Sequence, residues 1–126
     1  MKKISLSEGE WKIMNVLWNK QPRTITQLTA DLKETTGWSK HTIITMLGRL
    51  EVKEAVKYEE GEKAKQYYAA VEQSCAVMAE TESFLDRVYQ GSLGMMLNTM
   101  ISQKSLDKSE IDELYRILAE AEENIK

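Results

Sequence analysis

A chain of 126 residues with 42% hydrophobic and 29% charged residues and a net charge of −3 is a small globular protein, neither disordered nor strongly basic. No apolar run approaches the roughly 18 residues of a membrane span, and the starting MKK leads into no signal-type segment, so a cytoplasmic protein without membrane insertion is expected. One cysteine and one histidine exclude an intramolecular disulfide and a Cys/His metal cluster; no cofactor or metal is expected, and Cys75 reads as a free, buried thiol.

In chain order, Ser7 to Glu10 reads as a capping box, with Leu6 and Trp11 as a hydrophobic staple, and predicts a first helix bearing Trp11, Met14, Val16, Leu17 and Trp18. It stops before Gln21-Pro22. Thr24 to Gln27 repeats the cap, and Ile25, Leu28 and Leu32 give a second helix one apolar face up to the Thr36-Gly37 break.

A third helix over residues 39–52 follows at once, with Ser39 as its N-cap and Ile43, Met46, Leu47 and Leu50 as a buried stripe. Its opposite side carries His41, Thr45, Gly48 and Val52, flanked by Thr42, Ile44 and Arg49. These are short or hydrogen-bonding residues, unlike the Glu and Lys of an ordinary solvated face. Short donors and acceptors near a helix N-terminus, with a glycine where another surface comes close, suit the major groove of DNA. Two short helices joined by a tight turn, the second presenting this face, have the form of a helix-turn-helix. The candidate contacts are Ser39, Lys40, His41, Thr42, Ile44, Thr45 and Arg49.

Ala55–Tyr58 and Lys65–Val71 read as strands around the charged turn of residues 59–63, a hairpin placed as a wing after the third helix. Lys57, Lys63 and Lys65 are its candidate phosphate contacts, opposed by Glu59, Glu60 and Glu62. The expected fold is mainly α with a small β-wing: a winged helix-turn-helix domain over residues 1–72 and a helical dimerisation domain over residues 73–126.

In that second part Val77, Thr81, Phe84 and Val88 form one seam, Leu93, Met96, Leu97, Met100 and Ile101 a second stripe, and Ile111, Leu114, Leu118, Ala121 and Ile125 a third. Asp107 to Glu110 is another capping box. About 50 residues are too few to enclose their own core, so these stripes imply a homodimer. Charge divides along the same line. Residues 1–71 hold 12 Lys and Arg against 9 Asp and Glu, net +3, and residues 72–126 hold 5 against 11, net −6.

The run Trp38-Ser39, Thr42-Ile43, Thr45, Leu47, Arg49-Leu50 and the wing end Gln66-Tyr67-Tyr68 resemble the BlaI/MecI family of penicillinase and methicillin-resistance repressors. So do SEGEWKIMNVLW at residues 7–18, SFLDRVYQG at 83–91 and SLDKSEIDELYRIL at 105–118, which together extend the likeness over nearly the whole chain. The resemblance implies a bacterial repressor, dimeric through its C-terminal helices, on a palindromic double-stranded DNA operator. It implies base reading by His41, Thr42, Ile44 and Thr45. His41 stands where members often have Lys, and Ile44 where they often have Arg. It also implies control of antibiotic-resistance genes, relieved when a membrane sensor pathway leads to cleavage at a position matching Asn98-Thr99, where Thr replaces the family's Phe.

Two other function classes compete with this reading. A winged-helix module that docks a partner protein through the third helix is motivated by Ile44 and Val52 on the outward face. An enzyme is the poorest candidate, because no nucleophile has a base beside it and there is no Gly-rich phosphate loop.

Overall fold

The computed structural model describes residues 4–125; the MKK start and Lys126 lie outside them. The described residues form α1 (Glu8–Asn19), α2 (Ile25–Thr36), α3 (Lys40–Val52), β1 (Val56–Glu60), β2 (Lys65–Ala69), α4 (Gln73–Tyr89), α5 (Leu93–Gln103) and α6 (Lys108–Asn124). Three helices open on the expected reciprocal caps. At α1 the Glu10 amide donates to Ser7 Oγ (3.2 Å) and the Ser7 amide to Glu10 Oε1 (2.7 Å). Thr24 and Gln27 make the same exchange at α2, and Asp107 and Glu110 at α6. Each exchange satisfies two amides that would otherwise lack a partner at the helix start. α2 ends on Gly37 with φ 66°, a left-handed conformation that glycine adopts without a Cβ clash.

Ile13, Met14 and Leu17 of α1, Leu28 and Leu32 of α2, and Ile43, Leu47 and Leu50 of α3 form one core with Leu6, Ala55, Val56, Tyr67 and Ala76. Full burial of each large side chain is worth about 1.5–3 kcal/mol. Ile13 is fully buried although the expected stripe omitted it, whereas Trp11, Val16 and Trp18 pack at the core's edge. α1 and α3 meet closely at Gly9, where a Cβ would stand 3.0 Å from Met46 Cε and 3.3 Å from Trp38 Cη2.

β1 and β2 pair antiparallel from Val56↔Ala69 to Glu60↔Lys65, so β1 starts one residue later than expected and runs to Glu60, while β2 stops at Ala69. The shortening of β2 has a local cause, since the Val71 carbonyl accepts from Trp18 Nε1 (2.9 Å) rather than from a strand. β2 is tied to the connection between α1 and α2. Arg23 and Tyr67 exchange both backbone bonds (3.1 and 2.9 Å), and the Ala69 amide donates to Gln21 Oε1 (2.8 Å). The architecture is a winged helix, mainly helical with a small β-wing.

Two compact units divide between Ser83 and Phe84, inside α4. The start of α4 stays with the first unit because Ala76, 1% exposed, completes its core. The expected burial of Cys75 is corrected here: it is an exposed free thiol. A helix advances about 100° per residue, so the turn that sends Ala76 inward sends its neighbour out. In the second unit α5 and α6 contain no fully buried residue among those described. They border an apolar groove of about 650 Å³ whose lining includes Leu93, Leu97, Ile101, Ile111, Leu114 and Leu118. Among the described residues no helix is long and apolar enough to cross a membrane, and no cluster of His, Cys, Asp or Glu could hold a metal.

One ion pair spans 43 residues of sequence. Lys53, at the end of α3, places Nζ 2.5 Å from Glu10 Oε1 and 2.7 Å from the Ser5 carbonyl. Glu10 is 1% exposed. Burial acts against its charge, but the bonds from Lys53 and Ser7 outweigh burial and hold its pKa below the ordinary 4.5. A carboxylate with a depressed folded pKa contributes stability that is fully present above the unfolded value and lost as pH falls through the folded one. Lys53→Met should therefore cost about 2–3 kcal/mol at pH 7 in urea unfolding, below the 3–5 kcal/mol of a fully enclosed pair because Lys53 stays partly exposed. The gap between variant and parent should narrow as pH is lowered below about 4.5.

Candidate nucleic-acid interface

With Ile43, Leu47 and Leu50 spent on the core, the other side of α3 presents Lys40, His41, Ile44, Thr45, Arg49 and Val52, all exposed, beyond the exposed cap Ser39. No acidic residue lies between Trp38 and Leu50. Thr42 is half-buried and engaged locally: its amide donates to Ser39 Oγ (3.3 Å), and the two hydroxyls lie 3.3 Å apart. Thr45 Oγ1 donates to the His41 carbonyl (3.1 Å). At Gly48 a Cβ would meet nothing within 4 Å, so internal packing does not require glycine there.

The wing lysines do not form one cluster. Strand alternation and the observed register put Lys57 with Gln66 and Tyr68 on one face, and Lys65 with Tyr58 and Tyr67 on the other; Lys63 lies in the turn. Lys65 Nζ stands 4.2 Å from the Tyr58 ring centroid, and its electrostatic interaction with Tyr58 raises its pKa against a smaller desolvation effect. Glu59 accepts from the Tyr68 hydroxyl (3.3 Å). Lys40, Arg49, Lys57 and Lys63 make no ion pair among the described residues. Two other cations have structural work. Arg23 makes a bidentate pair with Asp31 (both contacts 2.9 Å), and Lys53 holds Glu10. Arg23 and Asp31 are eight residues apart, a spacing with no sequence signature.

Residues 6–120 match the family model for the penicillinase repressor. The chain belongs to the penicillinase repressor (BlaI/MecI) family. It is 34% identical over 121 residues to the penicillinase repressor of Bacillus licheniformis, covering 95% of this chain and 94% of that one. It is 29% identical over 117 residues to the methicillin resistance regulatory protein MecI of Staphylococcus aureus strain N315, covering 93% and 95%. The solution structure of the Bacillus licheniformis BlaI monomeric form in complex with the blaP half-operator superposes with a TM-score of 0.51 at 29% identity, over 58% of this chain and 89% of that one. These BlaI/MecI relatives are named as repressors and regulators, not as enzymes.

The BlaI/MecI chain carries its remaining candidate residues in the helices after the wing. Val77, Phe84, Val88, Leu93, Met100 and Leu118 are exposed, while Met96, Leu97 and Leu114 are half-buried. Asn98 and Thr99 are exposed within α5, where Thr99 Oγ1 donates to the Met95 carbonyl (3.0 Å) and the Asn98 carbonyl accepts from Ser102 Oγ (2.8 Å).

Gly48 offers a test that separates folding from DNA contact on this face. Gly48→Ala should raise stability by about 0.5–1 kcal/mol in thermal or urea unfolding, since alanine is the better helix former and the site is open. If this side of α3 lies against DNA, the same variant should also bind DNA more weakly, because the added methyl projects outward into that contact.

Proposed function

We propose that this chain is a dimeric transcriptional repressor that lays α3 into the major groove of a palindromic operator, one protomer per half-site. The observation that carries this reading is the outward side of α3: Lys40, His41, Thr45 and Arg49 exposed together, without an acid, on a helix fixed to the core by its other side. The half-operator complex of the Bacillus licheniformis relative supports operator DNA as the partner. Residues 1–72 bind DNA, and residues 73–126 pair two copies through their apolar faces. Lys57, Lys63 and Lys65 touch phosphates from the wing, and a DNA partner makes the protein cytoplasmic.

By likeness to the methicillin resistance regulatory protein, the controlled genes are antibiotic-resistance genes; the family resemblance read from the sequence adds relief through a membrane sensor pathway that ends in proteolysis. The Asn98–Thr99 bond lies in mid-helix, so a protease that takes extended substrate reaches it only once α5 has opened. A protein-interaction module is the second reading, favoured by Ile44 and Val52, which are 47% and 81% exposed on the same side of α3.

Salt separates the two. With two to four phosphate contacts per protomer, a dimer on its operator should give a log–log salt slope of about −4 to −7. An apolar docking surface would be nearly indifferent. Thr45→Glu should abolish operator binding in an electrophoretic shift assay while the variant still sediments as a dimer; retained binding would mean that another face reads the DNA.

Pairing has its own test. Leu118 is 57% exposed, so Leu118→Glu removes nothing from the core of a single chain. It should convert the dimer to a monomer in sedimentation and weaken binding to a two-half-site duplex by at least tenfold, with single half-site binding unchanged. A Leu118→Glu variant that stays dimeric would move the interface off α6.

A further inference from the structure

The outward side of α3 has an uneven chemistry that constrains which base pair it meets. Ile44 is a large apolar side chain, 47% exposed, with Lys40 and Gly48 one turn to either side of it and His41, Thr45 and Arg49 beside it; the other exposed apolar residue of this side, Val52, is two turns further on at the end of the helix. It can neither donate nor accept a hydrogen bond. Opposite a guanine it would strand the O6 and N7 acceptors of that base, which Arg or Lys would satisfy. The apolar group on offer in the major groove is the C5-methyl of thymine.

Thr45, next to it, is also constrained. Its hydroxyl proton is directed to the His41 carbonyl at 3.1 Å, which leaves only acceptor lone pairs facing outward. Major-groove donors are the exocyclic amines, N6 of adenine and N4 of cytosine. Of the pairs that contain one of them, only A·T also carries a methyl group.

We propose that Ile44 and Thr45 together select an A·T pair in each half-site, Ile44 seated on the thymine methyl and Thr45 Oγ1 accepting from adenine N6. This rests on the operator reading given above. The selection is one of shape and hydrogen-bond polarity, without a charged side chain, and therefore does not weaken with salt as phosphate contacts do.

The test begins by selecting bound duplexes from a randomised library with the full chain. Each thymine of the enriched sequence is then replaced, one at a time, by deoxyuridine, which lacks only the methyl. One thymine per half-site should be sensitive, losing about fourfold in affinity, the effect of one buried methyl group. In Ile44→Ala that same substitution should have no effect, while the other positions respond as in the parent. Ile44→Val, which keeps a branched side chain, should retain part of the sensitivity. Equal loss in parent and Ile44→Ala, or no sensitive thymine at all, would overturn the proposal and leave the operator reading intact. A library in which nothing is enriched would instead remove the operator reading itself, and the proposal with it.

Discussion

The charge buried at Glu10 decides where the outward side of α3 points. A carboxylate withdrawn from water needs both a cation and hydrogen bonds, and here the cation arrives from Lys53 at the far end of α3 while the hydrogen bond arrives from the cap of α1. The apolar core holds the middle of α3 against α1 without strongly fixing its rotation, since hydrophobic contact is non-directional. The ion pair supplies the direction. It works together with the close approach at Gly9, where Met46 and Trp38 leave no room for α1 to slide across α3. One helix end and one contact point thus fix a rigid element, and the residues on its free side inherit that placement.

The same division between fixed and free groups governs the charges. The cations with short carboxylate contacts in the first unit, Arg23 and Lys53, are already neutralised by Asp31 and Glu10, so the positive charge available to an outside partner comes from Lys40, Arg49 and the wing. That supply is modest and is spread over two faces of the ribbon. A surface of this kind gives limited attraction to DNA in general, which fits the proposed discrimination by the uncharged groups of α3. The acidic second part of the chain works in the same direction, lowering the long-range pull of any polyanion.

Features set by neighbours three or four residues apart were legible in the sequence. The caps at Ser7, Thr24 and Asp107, the turn at Gly37 and the buried stripe of α3 all follow from local spacing, and the structure has each of them, except that Met46 of the expected stripe is only partly buried at the core's edge. Most of the candidate reading face was legible for the same reason; Thr42 differs, because its local bonds to Ser39 draw it half out of solvent. Features that depend on distant partners were not legible. Glu10 reads as a capping residue and gives no hint of Lys53, 43 residues on. The face that each wing lysine takes depends on register, and a strand end moved by one residue changes the face. Cys75 and Ala76 differ in burial by one step of helix rotation, which composition cannot resolve.

The helices beyond Ser83 have a different relation to water from the winged helix. α5 and α6 keep Leu93, Met95, Ile101, Leu118 and their neighbours about half exposed, with no buried side chain of their own. Order that is completed only by association obeys mass action, so its free energy grows with the logarithm of chain concentration. If two copies pair through these helices as proposed, a dilute chain leaves them open to digestion and a concentrated one protects them. On the proposed pairing, the chain's abundance would set its own lifetime, with turnover fastest where copies are too few to find one another.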